Sequence, residues 1–186
     1  KPESPQGAWI AATTFQSLGL FVEAAELDEA IAQLADKDHP NYLKFDHAKD
    51  AAFNAVVLRV ATGEHDKAIA NGNRFLAQYG STAEADEVVF QRGKAHQNAG
   101  RDKDAVDLYR RYVAKAKNQD HRVQVFVLLA SALIKTKDEK GADDALKVAV
   151  DIGKHRKAEL GPEGKYAAAH ARYMEGERVL AKFDAI

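Results

Sequence analysis

The sequence contains no cysteine and only four prolines among its 186 residues. The lack of cysteine excludes disulfide bonds, thiolate metal sites and a cysteine nucleophile, although it does not determine the compartment. No run approaches the ~20 consecutive apolar residues that a membrane-spanning helix requires, so direct insertion into a membrane is not expected. The net charge of −1 provides no general attraction to nucleic acid or to an anionic membrane.

The composition favours helices. Hydrophobic residues make up 46% of the chain and charged residues 30%, which is enough for a core with a well-solvated surface. Frequent alanine and scarce proline both favour helix, because alanine loses no rotamer freedom and proline removes a helix hydrogen bond. No segment shows the alternation of a strand. The sequence therefore predicts an all-α protein with helices at about 7–18, 21–35, 45–61, 65–79, 83–98, 102–117, 121–135, 139–152 and 163–183.

One segment shows a repeating unit most clearly. Residues 89–96 form a helical pattern, a turn follows at Asn98-Ala99-Gly100, and residues 104–109 begin a second helical pattern. Gly100 suits the left-handed backbone found at a helix C-terminus. Asp102 is expected to cap the helix that follows. The unit is therefore a helix, a glycine turn and a second helix.

The same unit recurs along the chain. The small residue of each second helix falls at Ala24, Ala68, Ala105 and Ala142, in steps of 44, 37 and 37 residues. Alanine at these places lets two helices cross closely, where a larger side chain would separate them. The longer first step predicts an insertion at about residues 37–44, where Pro40 prevents a continuous helix.

This pattern resembles the tetratricopeptide repeat (TPR), although the usual TPR period of ~34 residues is shorter. The residues that carry the match are Gly93, Gly100, Ala105 and Tyr109. The resemblance implies a right-handed α-solenoid of about four to five TPR-like repeats that forms a single domain over residues 1–186. The expected repeats cover about residues 5–36, 49–82, 86–119 and 123–156, with a partial repeat at 160–186.

Two further segments resemble bacterial cell-envelope TPR proteins of the outer-membrane assembly or gliding-motility type. One is the run 75–81, where such proteins commonly have Phe-x-x-x-Tyr-Pro-x-Ser and where Gly80 replaces the proline. The other is the tail 169–177. The resemblance implies a location in the periplasm or cell envelope, with the cytoplasm as the alternative. Because the first residue is Lys1 and no helix stop signal precedes Ile186, we expect a piece of a longer chain, in which any signal peptide would lie outside the given residues.

The TPR resemblance also implies that partners bind along the first helix of each repeat. The outward positions of those helices predict a partner-binding groove formed by Trp9, Thr13, Phe53, Asn54, Val57, Phe90, Gln91, Lys94, Gln97, Ser131 and Lys135. The rings of Trp9, Phe53 and Phe90 occupy equivalent places, so they either form an exposed stripe or pack between helices. Some TPR proteins hold a peptide carboxylate with Lys, Arg and Asn side chains. That clamp is not expected here, because Trp9, Thr13, Glu87 and Gln91 stand at its positions.

No motif indicates chemistry. The seven histidines include no His-Glu-x-x-His pair, and no phosphate-binding glycine loop, Gly-x-Ser-x-Gly or isolated carboxylate pair is present. We therefore expect no catalytic residue, no cofactor and no bound metal. The basic run Lys154-His155-Arg156-Lys157 is interpreted as charge at a helix C-terminus, with contact to an anion or a partner as the alternative.

These features predict a non-catalytic scaffold for protein–protein interaction, with other proteins or peptides as partners and no binding of nucleic acid. A bacterial envelope complex is the expected setting. One alternative is a structural or oligomerisation segment that self-associates through the C-terminal helix, whose apolar stripe consists of Tyr166, Ala169, Tyr173, Leu180 and Phe183. The other alternative is an accessory region of a larger multidomain enzyme.

Overall fold

The computed structural model describes residues 4–116 and 118–184, and every regular element in that part of the chain is helical. This confirms the predicted all-α class. A single 3₁₀ turn at Lys157–Glu159 precedes the last helix. The α-helices are α1 (Pro5–Ser17), α2 (Phe21–Leu34), α3 (Ala48–Ala61), α4 (His65–Tyr79), α5 (Ala85–Asn98), α6 (Asp102–Lys115), α7 (Gln119–Lys135), α8 (Glu139–His155) and α9 (Pro162–Asp184).

Most helix ends lie within a few residues of their predicted positions, and the differences have local causes. Helix α7 begins at Gln119 because Asn118 accepts a hydrogen bond from the His121 N–H at 3.2 Å and caps the helix. The prediction that Asp102 caps α6 is wrong. Arg101 occupies the cap position and makes no side-chain hydrogen bond that caps the helix, and Asp102 is the first helical residue. At that place its charge still interacts favourably with the helix dipole.

Four helical hairpins, α1–α2, α3–α4, α5–α6 and α7–α8, turn through a residue in the left-handed region of the backbone. Gly19, Gly63 and Gly100 have φ angles of 76°, 76° and 73°. In the fourth hairpin the same place is held by Lys137, with a φ of 64°. Glycine is the residue that adopts this backbone without steric cost, so Lys137 retains the turn of the other repeats without their preferred residue.

The residues up to Gly100 form one compact unit of five helices. Each helix packs on the next, and α3 also packs on α5. Val56, Phe75 and Val88 are buried at its centre. Between α2 and α3, the segment 35–47 leaves the helical path and returns Phe45 to the core formed by α1, α2 and α3.

A second compact unit begins at Arg101 and contains α6 to α9. Successive helices again pack on each other, and α7 also contacts α9. Ala105 and Ala142 are fully buried, as are Ala24 and Ala68 in the first unit. Helices α8 and α9 approach so closely that a Cβ atom added to Gly153 would lie 2.5 Å from the Cβ atom of Ala168.

Polar contacts hold both ends of α9. Before its first turn, the N–H of Gly161 donates to the carboxylate of Asp120 in α7 at 2.9 Å. Near its last turn, Arg178 donates to Asp143 at 2.6 Å and forms an ion pair with Glu139 at 2.8 Å. These contacts help to determine which side of α9 packs on α7 and α8 and which side faces solvent.

Candidate partner-binding surfaces

The predicted groove residues of α1 and α3 are partly engaged by neighbours. The half-buried Trp9 ring stacks on His47 with 4.7 Å between ring centroids and an interplanar angle of 1°. Phe53 is half-buried and meets the edge of Phe75 at 6.2 Å. Thr13 is exposed, and its hydroxyl donates to the carbonyl of Ile10 at 2.9 Å. Both rings therefore combine partial packing with partial exposure.

The remaining groove positions of the first unit lie on α3 and α5. Asn54 and Val57 are half-buried on α3. Phe90 and Gln97 on α5 are only 7% and 9% exposed, which favours the packing alternative for Phe90. Lys94 places its Nζ atom 5.4 Å from the centre of the Phe90 ring. On the same helix Gln91 donates to Glu87 Oε1 at 2.7 Å, so polar side chains form much of the accessible face of α5.

In the second unit the predicted groove residues are Ser131 and Lys135 of α7. Ser131 is half-buried and Lys135 is exposed. The Nζ atom of Lys135 lies 3.7 Å from the Oδ1 atom of Asp102 in α6. This contact limits the positive charge that Lys135 presents to a partner. That any of these side chains binds a partner stays a prediction.

A buried charge network in the first unit was not predicted from the sequence. The Arg59 side chain has no exposed surface and donates to both carboxylate oxygens of Glu29, at 2.8 and 2.7 Å, and to Glu64. Asn71 also donates to Glu29 at 2.7 Å. Burial raises the pKa of Glu29, but the hydrogen bonds from Arg59 and Asn71 outweigh it and the pKa is lowered. The network joins α2, α3 and α4 and is structural.

A second buried carboxyl group belongs to Asp28 of α2. One of its oxygens accepts a hydrogen bond from Gln16 Nε2 at 3.2 Å, and the other has no hydrogen-bond partner. Burial raises the pKa of Asp28 to about 7. Carboxyl groups with raised pKa values also occur in active sites. Asp28 has no exposed surface from which to reach a substrate, so we interpret it as a structural residue.

The described residues contain no group of three or more histidine and acidic side chains that could hold a metal ion. Across the same residues, no helix combines the length and the apolar character that crossing a membrane would demand.

Helix α9 carries four large and strongly exposed apolar side chains. Tyr166, Tyr173, Leu180 and Phe183 are 75%, 63%, 58% and 70% exposed, and the smaller Ala169 is exposed between them. These five residues, here called the α9 stripe, are those of the predicted apolar stripe. Because Arg178 and Asp120 hold α9 in place, the stripe is presented to solvent on a fixed helix.

No protein-family model matches the chain, and no curated protein matches it. Solved structures, however, do match the chain. One is the crystal structure of a Podosopora anserina protein assigned to the kinesin light chains, with nearly identical TPR-like repeats. It has a TM-score of 0.66 and 20% sequence identity, over 97% of this chain and 92% of that chain. A substituted form of the same protein has a TM-score of 0.68 and 19% identity, over 95% and 89%. The chain therefore has the fold of TPR-like repeats.

Proposed function

We propose that this chain is a non-catalytic module that binds other proteins through its TPR-like repeats. The α9 stripe is the observation that carries the proposal. Four large apolar side chains, each more than half exposed, lie along one helix. Exposed apolar residues that follow one face of a helix are typical of interaction sites, since covering them removes apolar surface from water. A partly exposed face on α1 and α3 supplies a second surface for the same purpose.

Affinity purification from extracts of the source organism tests this function with matched variants. We expect a defined set of proteins to bind the unmodified chain and to be depleted several-fold by Tyr166→Ser with Tyr173→Ser, or by Lys94→Glu. Tyr42→Ser is the control, because Tyr42 is also an exposed tyrosine but lies in the segment 35–47. An identical set of proteins for all four chains, or none for any, would show that these surfaces do not bind partners.

Self-association is the second candidate, and the same stripe favours it. In this case a second copy of the chain covers α9. Sedimentation velocity over a range of concentrations then shows a dimer, which Leu180→Glu converts to monomer by placing a charge in the apolar contact. A monomer at every concentration would contradict this candidate.

The bacterial envelope complex is the setting we propose for this module. Its support is the similarity of residues 75–81 and 169–177 to envelope TPR proteins. Fractionation of the source cells, followed by detection with an antibody, tests the location. Recovery of the protein with the cytoplasm would contradict it. The sequence of the gene on both sides of this segment tests the remaining alternative, an accessory region of a larger enzyme.

A further inference from the structure

A cavity of about 340 Å³ lies between α8, the 3₁₀ turn and α9. The apolar part of its lining comprises Val150, Leu160, Ala168 and Ala169, with Gly153 at the close approach of the two helices. Four cationic side chains surround it: Lys154, Lys157, Lys165 and Arg172. We call this the α8–α9 cavity. It lies at the lower end of the ~300–1,000 Å³ range of ligand pockets, which suits one anchoring group.

The four cations lack counter-ions among the described residues, because none of them forms an ion pair there. None of the acidic side chains nearby in the sequence lines the cavity. Glu159 pairs with Arg156 at 3.4 Å, and Glu163 accepts a hydrogen bond from Gln124 at 3.2 Å. Asp151 is exposed and does not line the cavity. Four positive charges around one small cavity repel each other, so a bound anion is favoured there.

The cavity continues into the α9 stripe. Ala169 belongs to both, Lys165 precedes Tyr166, and Arg172 precedes Tyr173. A small inorganic anion would neutralise the cations but would leave the tyrosines in water. A peptide with carboxylates and apolar side chains would cover both features. Three of the four cations are lysines. A lysine ammonium group can pair with a carboxylate in many orientations, whereas arginine favours one bidentate geometry.

We propose that the α8–α9 cavity and the adjoining tyrosines bind an acidic segment of a partner protein. Carboxylates of the segment pair with the four cations, and an apolar side chain enters the cavity. The proposal rests on the function of a protein-binding module and identifies the chemistry of one partner. It also assigns a role to the basic run 154–157 beyond charge at a helix end.

Fluorescence anisotropy with a short labelled peptide tests the chemistry. The peptide is rich in glutamate and carries two leucines at helical spacing. We expect it to bind and to bind more weakly as NaCl is raised, because salt screens the ion pairs. The same peptide with glutamine for glutamate should not bind detectably, and the peptide with serine for leucine should bind more weakly. Equal binding of the glutamine peptide would overturn the proposal.

A charge-reversal pair tests the location. Lys157→Glu with Lys165→Glu should raise the Kd for the glutamate peptide about tenfold or more, since each exposed pair is lost and replaced by repulsion. The control is Lys140→Glu with Lys147→Glu, two exposed lysines of α8 that do not line the cavity and give the same change in net charge. Both double variants should keep the Tm. Equal loss of affinity in the two would place binding elsewhere and overturn the proposal.

Pyrophosphate and a labelled single-stranded oligonucleotide are the remaining probes. Binding of either one, together with failure of the glutamate peptide, would show a phosphate site and overturn the proposal. One result would overturn the acidic partner and still support the proposed protein-binding function. If the peptide fails while Lys94→Glu, or Tyr166→Ser with Tyr173→Ser, still depletes proteins captured from the extract, the chain is a binding module and only the acidic partner is wrong.

Discussion

The guanidinium of Arg59 is buried between Glu29 of α2 and Glu64, the residue that precedes α4. Each of these three charged groups is compensated only while its partners are present. The net stabilisation of a buried ion pair is small, because desolvation offsets the attraction. Removal of one partner is costly, because a charge then stays buried without compensation. The network therefore links α2, α3 and the start of α4 through the side chain of Arg59.

Arg59→Leu should lower the free energy of unfolding by about 3–5 kcal/mol, since Glu29 loses its cation. The matched control is Arg110→Leu. Arg110 pairs with Asp138 at 3.4 Å with both side chains well exposed, so its loss should cost less than about 1 kcal/mol. Urea denaturation of both variants makes the comparison. Similar losses for the two would mean that the buried network contributes no more than a surface pair.

Lys137 offers a test of backbone strain. Its φ of 64° costs about 1–2 kcal/mol for a residue with a side chain, and glycine avoids that cost. Glycine also makes the unfolded chain more flexible, which offsets part of the gain. Lys137→Gly should therefore raise the free energy of unfolding by about 0.5–1 kcal/mol, measured by chemical denaturation.

The reciprocal variant is Gly100→Lys. A Cβ atom at Gly100 would meet nothing within 4 Å, so any loss of stability comes from the backbone angle rather than from a clash. The expected loss is about 1–2 kcal/mol. A neutral Gly100→Lys would show that the left-handed turns do not control stability in this chain.

At the scale of elements, the hairpin of α1 and α2 contains a carboxyl group that prefers to stay protonated. The pKa of Asp28 is 3.8 in the unfolded chain and about 7 in the folded one. Between these values the unfolded chain releases the proton while the folded chain keeps it. Raising the pH through this range therefore lowers the free energy of unfolding. Above about pH 7 this loss, which is the penalty for ionising the buried Asp28, no longer grows.

Asp28→Asn should remove this penalty, because the amide is neutral at every pH. Relative to the unmodified chain, the variant should gain about 3–5 kcal/mol near pH 8 and nothing near pH 3. The measurement is the difference in the free energy of unfolding between the two chains at each pH, which cancels the titration of the other groups. A difference that does not change with pH would show that Asp28 ionises normally in the folded protein.

At the scale of the molecule, each of the two compact units has its own buried core. In repeat proteins the stability of a segment depends mainly on itself and its nearest neighbours, so damage in one place spreads only partly. Trp9, the single tryptophan, lies in the first unit and reports on that unit alone. Circular dichroism reports on the helices of both.

Leu146→Ala removes a fully buried side chain of the second unit and should cost about 2–5 kcal/mol locally. Heating this variant should lower the transition seen by circular dichroism more than the transition seen by Trp9 fluorescence. Phe75→Ala, a core truncation in the first unit, is the control and should shift the Trp9 signal most. Equal shifts of both signals in both variants would indicate a single cooperative unit.

The sequence by itself determined where the helices and turns lie. Glycine at three turns, alanine at the buried helix positions and scarce proline placed the helices to within a few residues, and the TPR-like pattern indicated the fold that the solved structures show. The α9 stripe was also visible, because its residues follow one face of one helix. Such features depend on backbone preference and on spacing within a single element, which a sequence displays directly.

Contacts between elements were decided only by the tertiary structure. The stacking of Trp9 on His47, the burial of Phe90 and the network around Arg59 join residues that no local pattern connects. The α8–α9 cavity likewise brings Lys154 and Lys157 of the basic run together with two cations of α9. The physical reason is that the rotation of each helix about its axis depends on how its neighbours pack, and a small rotation changes which side chains meet.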